Sequence, residues 1–281
     1  MRGIVFINNR VSVDMKGKNK AGKDDLARRI IRLICGIAAA ASLGYFAYYC
    51  YESSGASDKA EKLSVVKDNA VVNEMIPPTV HLDEKQEAPP MLDEFNALYL
   101  KNRSIVGWIK VEGTQIDYPV MQSSNEEYYL DHNFEQEKDS NGSIFIDSAC
   151  SIWPRSQNII IYGHNMKSGK MFGGLDKYKD KGYCDKHPVI SFDTLYEKGE
   201  YQVMYVFNEV IHEETEVAFK YYQFIDANSA QEYESDMEAM SEMSLYDTGV
   251  VSFYGDSLIT LSTCDYSKGA ERFVVVAKKI D

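Results

Sequence analysis

Basic charge is what this chain most lacks. Lys and Arg number 30 against 43 Asp and Glu, a formal net charge of −13 over 281 residues. A nucleic-acid surface needs a basic excess, so no nucleic-acid partner is expected. Cysteine is scarce and odd in number at five, and Cys35 and Cys50 fall inside an apolar run. Cys150, Cys184 and Cys264 cannot form a closed disulfide framework, and an odd count in an exported domain marks a free thiol. The sequence leaves a Cys150–Cys184 bridge open. The five histidines (His81, His132, His164, His187 and His212) lack the paired spacing of a zinc site, so no metal and no cofactor is expected. Prolines number seven, and four of them (Pro77, Pro78, Pro89, Pro90) crowd one short segment. Hydrophobic residues make up 44% and aromatics 12%, which argues against global disorder.

One long uncharged run is present, Leu33 to Tyr51. A helix rising about 1.5 Å per residue over that run spans close to the hydrocarbon thickness of a bilayer. Arg28, Arg29 and Arg32 precede it, Glu52 and Asp58 follow it, and Tyr48, Tyr49 and Tyr51 sit where an interfacial aromatic belt would. The run outlasts an ordinary signal-peptide core and ends in bulky tyrosines rather than small residues, so an uncleaved anchor is expected. The division read from the sequence is a basic cytoplasmic tail over 1–29, a transmembrane signal anchor over 30–51, an extracellular tether over 52–90 and a catalytic domain over 91–281. Localisation follows: cell membrane, single-pass, N-terminus inside, catalytic domain outside. The membrane itself is then a partner, through the N-terminal helix.

Beyond the tether, apolar residues Leu92, Phe95, Leu98 and Tyr99 share a face and predict a helix starting near Met91. Strand patterns follow at 105–111, 115–121, 143–147, 157–162, 188–192, 200–210, 217–225, 257–263 and 272–279. Many short strands between Gly, Asn and Asp turns predict an antiparallel barrel rather than βαβ units. One further helix is signalled by Ser229-Ala230-Gln231-Glu232, a capping box. Tyr233, Met237, Met240 and Ser244 share its inner face, and Glu234, Asp236, Glu238 and Glu242 decorate the outside.

Chemistry is signalled at the ends of three strands. Thr260-Leu261-Ser262-Thr263-Cys264 closes one, and Arg272-Phe273-Val274-Val275-Val276 opens the next. If the two pair antiparallel across the intervening polar loop, the simplest register sets Cys264 opposite Arg272. A thiol beside a permanent cation is favoured as thiolate, the nucleophilic form. A lone cysteine at a strand end is by default a small packed hydrophobe. A third segment changes that balance, Asn158-Ile159-Ile160-Ile161-Tyr162-Gly163-His164-Asn165, which delivers a histidine into a Gly/Asn/Ser-rich loop. Cys, His and Arg supply a nucleophile, an acid/base and an anion stabiliser.

These residues resemble the sortases, membrane-anchored cysteine transpeptidases of Gram-positive bacteria, and class B among them. The matching pieces are Thr-Leu-Ser-Thr-Cys at 260–264, Arg272 eight residues on, and Tyr-Gly-His-Asn at 162–165. The flanks Gly107-Trp108-Ile109, Ile116-Asp117-Tyr118-Pro119-Val120 and Gly142-Ser143-Ile144-Phe145-Ile146-Asp147 are similar too. The resemblance spans 91–281 and implies a mainly β fold: a closed eight-stranded barrel with an N-terminal helix, an extra helix before the nucleophile strand and one preceding transmembrane helix.

It further implies Cys264, His164 and Arg272 as catalytic residues. Substrate contacts are expected from Ser262, Tyr162 and Asp265, the last of which would also oppose thiolate formation. The implied reaction cleaves a C-terminal sorting motif of secreted proteins after Thr and passes the acyl group to an amine of peptidoglycan, its precursor or its cross-bridge. An Asn-Pro-x-Thr-type motif is implied by the class. Alternatives remain open at this point: a pilin-polymerising sortase, a hydrolytic cysteine peptidase, or an anchored binding protein in which Cys264 is structural.

Overall fold

The computed structural model describes residues 16–68, 88–125, 127–210, 219–264 and 271–280. The chain divides into two compact units, Met1–Glu52 and Ser53–Asp281. Helix α1 runs over Lys16–Asp68. Its stretch Arg29–Tyr49 is long and apolar enough to cross a membrane and is 0% buried, a candidate span by length and composition.

The end of α1 belongs to the second unit, where it departs from the expected tether. Residues 53–68 are helical, and the remaining tether residues 69–87 lie outside the described residues. The cause is an apolar face that the prolines obscured. Ala60, Leu63 and Lys67 recur at i, i+3 and i+7, and Ala60 and Leu63 are each only 5% exposed. Leu63 packs in a cluster with Phe95, Leu98, Trp108 and Tyr129. Lys67 pairs with Asp193 at 3.2 Å and stands 5.4 Å from the ring centres of both Phe95 and Trp108. Nearer the N-terminal side, Lys59 bonds Glu137 at 3.2 Å and holds that carboxyl below its usual range.

Helix α2 (Asp93–Lys101) follows, close to the expected start, and buries Phe95 and Leu98. The strands are β1 (Ile105–Val111), β2 (Asp117–Met121), β3 (Ile144–Ile146) and β4 (Asn158–His164). After the short helix α3 (Lys181–Cys184) come β5 (Val189–Thr194), β6 (Glu200–Val210), helix α4 (Ala230–Met243), β7 (Leu258–Cys264) and β8 (Glu271–Ile280). They close into an eight-stranded barrel in the order β1-β2-β3-β4-β7-β8-β6-β5.

Two features of the strand reading are corrected. The barrel is mixed rather than antiparallel, because β2 pairs β3 and β4 pairs β7 in parallel. Both pairs are joined by long excursions, 122–143 and 165–257, which permit a crossover that a hairpin loop does not. The strand expected over 217–225 is absent among the described residues, where Tyr221–Gln223 form a 3-10 turn. Its neighbour β6 already pairs with β5 and β8, so the closed barrel has no edge to offer a ninth strand.

Helix α4 lies over β6 through Tyr233, Met237 and Met240, all buried as the periodicity predicts. Ser229 caps it, accepting from the Glu232 amide at 3.2 Å. The reciprocal half of the box is displaced by one residue: the Glu232 carboxylate accepts the Asn228 amide at 2.8 Å rather than that of Ser229.

Candidate active site

The site sits at the C-terminal ends of β4 and β7. These strands pair in parallel from Asn158↔Leu258 to His164↔Cys264, so the last residues of both lie side by side. Neighbouring strands stand about 4.8 Å apart. The register is held from below by a buried polar pair. Thr260 donates to the Asn158 side chain at 3.0 Å, and the Asn158 amide donates to the Phe224 carbonyl at 2.8 Å. Both residues are 0% exposed, and a slip of one position would orphan their polar atoms in the core.

The segment before the histidine needs its glycine. A Cβ on Gly163 would collide with the Ile144 side chain and stand 2.9 Å from the Phe172 ring. A side chain there would force Ile144 and the buried Phe172 ring to move.

His164 is half-buried, and its Nε2 lies 2.7 Å from the Leu130 carbonyl oxygen. A carbonyl only accepts, so Nε2 carries the proton and Nδ1 is the nitrogen left for exchange. Leu130 ends the 3-10 turn Tyr128–Leu130, packed among Tyr129, Phe134 and Phe145. This orienting group is a main-chain atom, so no residue type in the sequence signals it.

Strand β8 brings the cation. It pairs antiparallel with β7 from Leu258↔Lys278 to Ser262↔Val274, the register expected from the sequence. Continuing that register by two residues sets the Cys264 backbone opposite that of Arg272. Below this point the Thr263 hydroxyl accepts the Phe273 amide at 2.9 Å and ties the two strand ends together. The structure thus brings the positions of Cys264, His164 and Arg272 to one rim of the barrel.

The three other candidates fall out differently. Tyr162 is half-buried, donates to Asp147 at 3.0 Å and packs at 5.6 Å from Phe145. Ser262 is 0% exposed and its hydroxyl is engaged with that of Tyr221 at 2.8 Å, so a direct substrate contact requires that pair to open. Asp265 lies outside the described residues. Of the remaining thiols in the second unit, Cys150 and Cys184 are free and buried, which answers the open question of a bridge between them.

A family profile described as a sortase domain matches residues 109–280. Sortase B of Listeria monocytogenes is 37% identical over 190 residues, covering 67% of this chain and 74% of that protein. Sortase B of Staphylococcus aureus is 34% identical over 189 residues, with 66% of this chain and 75% of the relative covered. Among solved structures, the Staphylococcus aureus sortase B–substrate complex superposes with a TM-score of 0.67 at 28% identity, covering 82% of this chain and 97% of that one. Sortase B from B. anthracis in complex with AAEK1 gives 0.63 at 32% identity, covering 80% and 97%.

Proposed function

Given that the chain belongs to the sortase family of cysteine transpeptidases, in its class B, we propose that it cleaves a C-terminal sorting motif of secreted proteins after Thr and transfers the acyl group to a cell-wall amine. The observation that carries this reading is the parallel pairing of His164 with Cys264, with β8 in register to bring Arg272 beside them.

In the proposed reaction Nδ1 of His164 takes the Cys264 thiol proton, and the thiolate so formed attacks the Thr carbonyl carbon. A C–S bond forms, the peptide C–N bond breaks, and the departing nitrogen takes its proton from Nδ1 of His164. An incoming amine then attacks the thioester. Its C–N bond forms as the C–S bond breaks, its proton passes to His164, and the thiolate is restored. Leu130 holds the imidazole in one orientation through both steps. Arg272 stabilises the developing oxyanion and holds the substrate backbone by charge-assisted hydrogen bonds. Tyr162 and Ser262 support the wall on which the peptide lies, and Asp265 is kept as a substrate contact beside the nucleophile. The hydrolytic, pilin-polymerising and binding-protein alternatives differ in what resolves the thioester, or in having none.

The test is cleavage of sorting-motif peptides by the full chain in detergent micelles, with and without added amine. Cys264→Ala is expected to abolish both cleavage and transfer. Arg272→Lys keeps the charge but loses the planar fork of donors, and turnover is expected to fall by about 10²–10³. Cleavage by Cys264→Ala at the wild-type rate would remove the central claim, and a near-wild-type Arg272→Lys would remove Arg272 from the site.

The candidate span and the arginines before it support a cytoplasmic N-terminus and an external catalytic unit. Protease added to intact cells is expected to digest residues 52–281 and spare 1–29; digestion of the tail would reverse the orientation.

A further inference from the structure

We propose that Gly142 and Ser143 are positioning residues for His164. They clasp the turn that carries Leu130 and so fix the carbonyl that sets the tautomer of the imidazole. The inference rests on the acyl-transfer reading above only for the change in rate it predicts, since a tautomer is measured without turnover.

The oxygen facing Nε2 of His164 belongs to a single 3-10 turn, Tyr128–Leu130, too short to hold itself in place. Residues 139–143 hold it. The Ser143 amide donates to the Tyr129 carbonyl at 2.8 Å, and the Asp139 amide donates to the Asp131 carbonyl at 2.9 Å. The Ser143 hydroxyl donates to the His132 carbonyl at 2.8 Å. The carbonyls on either side of Leu130 are thus pinned, and the Leu130 oxygen meets the imidazole at 2.7 Å.

Gly142 lets this clasp close. It is buried, and its backbone is left-handed at φ 60°. A Cβ there would stand 2.5 Å from the Tyr129 oxygen and 2.7 Å from the Leu130 oxygen. An ordinary C···O approach is about 3.3 Å, so a methyl group would force the two segments apart by roughly half an ångström or more. Both oxygens are main-chain atoms, so no rotamer change relieves the clash. The 2.7 Å bond to Nε2 is already at the short end of N–H···O bonds. A shift of its acceptor therefore lengthens the bond or carries the ring along.

The clasp and the histidine share one frame. Ser143 runs directly into β3, which pairs with β4 at Phe145↔Tyr162. Phe145 lies two residues after Ser143, and Tyr162 two before His164. The links form a ring: Phe145 back to Gly142, across to Leu130, on to His164 and down β4 to Tyr162. A displacement at Gly142 reaches the imidazole through this ring instead of being lost in a loop.

The first test is spectroscopic. It uses full-length protein in detergent micelles, labelled with nitrogen-15 at histidine and carrying Cys264→Ala so that no thiolate charges the ring. The His164 signal is assigned by its loss in His164→Gln. At pH 9, where a histidine side chain is ordinarily neutral, it should report one tautomer, protonated at Nε2. Gly142→Ala should mix in the Nδ1–H form. Gly249→Ala is the control, because Gly249 is also left-handed, at φ 75°, but a Cβ there meets nothing within 4 Å. Its tautomer should stay single.

The second test is kinetic, with the thiol present. Gly142→Ala should lower kcat for peptide cleavage about tenfold and leave KM within about twofold, because a misplaced acid/base costs rate rather than binding. Gly249→Ala should change neither. If Gly142→Ala does not fold, Ser143→Ala takes its place. It removes the hydroxyl link to His132 without adding bulk, and should mix the tautomers and lower kcat about threefold at unchanged KM. An unchanged tautomer or an unchanged kcat in the variant tested, or an equal loss in Gly249→Ala, overturns this inference and leaves the transpeptidase reading standing. Absence of cleavage by the wild-type chain overturns that reading, while the tautomer comparison still decides this one.

Discussion

At the scale of single residues, the thiols of the second unit sort themselves by environment. The Cys150 sulfur accepts the Ile160 amide at 3.4 Å and faces the Asn158 carbonyl at 3.6 Å. Burial pushes its pKa up to about 12, and burial likewise raises that of Cys184. Both therefore remain protonated near neutral pH, and alkylation needs the thiolate. Brief iodoacetamide treatment at pH 7.5, followed by peptide mass analysis of residues 53–281, should label Cys264 and spare Cys150 and Cys184. Labelling of either buried thiol at the rate of Cys264 would count against the assignment. That the positions of Cys264, His164 and Arg272 meet was legible in the sequence because a strand end written Thr-Cys, another written Gly-His and an Arg opening a third carry their own pattern. The atoms that orient them were not: the Leu130 carbonyl has no residue signature, and the Tyr221 hydroxyl against Ser262 sits in a segment whose pattern reads as strand.

At the scale of elements, the end of α1 is a piece of the catalytic unit rather than a spacer. Leu63 is 5% exposed within the cluster under α2, whereas Val65, two residues on, is 53% exposed. Leu→Ala in a core costs about 2–5 kcal/mol, and the low end applies here because a terminal helix can shift to close the gap. For a unit of this size about 2 kcal/mol lowers the Tm by roughly 4–8 °C. Thermal unfolding of full-length Leu63→Ala is expected to show that loss, with Val65→Ala unchanged. Equal behaviour of the two variants would mean that the helix end contributes nothing to the fold. The spacing Ala60, Leu63, Lys67 was available in the sequence, but three anchor positions in a segment ending in prolines are a weak signal. The capping box at Ser229 was the opposite case: local chemistry fixes a local structure, and the helix forms where its cap says.

At the scale of the whole molecule, alternation along a strand tells which face a residue takes but not which way the neighbouring strand runs. That is why the eight strands were readable one by one while the parallel pairs β2/β3 and β4/β7 were not. The β7–β8 pair was readable because its short connection leaves only one direction. Closure follows from counting partners: with both edges of every strand taken, 217–225 could join the barrel only by displacing β5 or β8 from β6.

The β4–β7 pairing has a kinetic consequence. It joins segments about a hundred residues apart in the chain, with β5, β6 and α4 between them. Contacts of such high sequence separation form slowly, because a long loop must be closed before they give any return. Until that closure, Cys264 and His164 belong to separate regions of an open chain. The juxtaposition of these two positions therefore arrives with barrel closure and not before it. A partly folded chain in which β4 and β7 have not yet paired keeps Cys264 and His164 apart, however complete its local hairpins are.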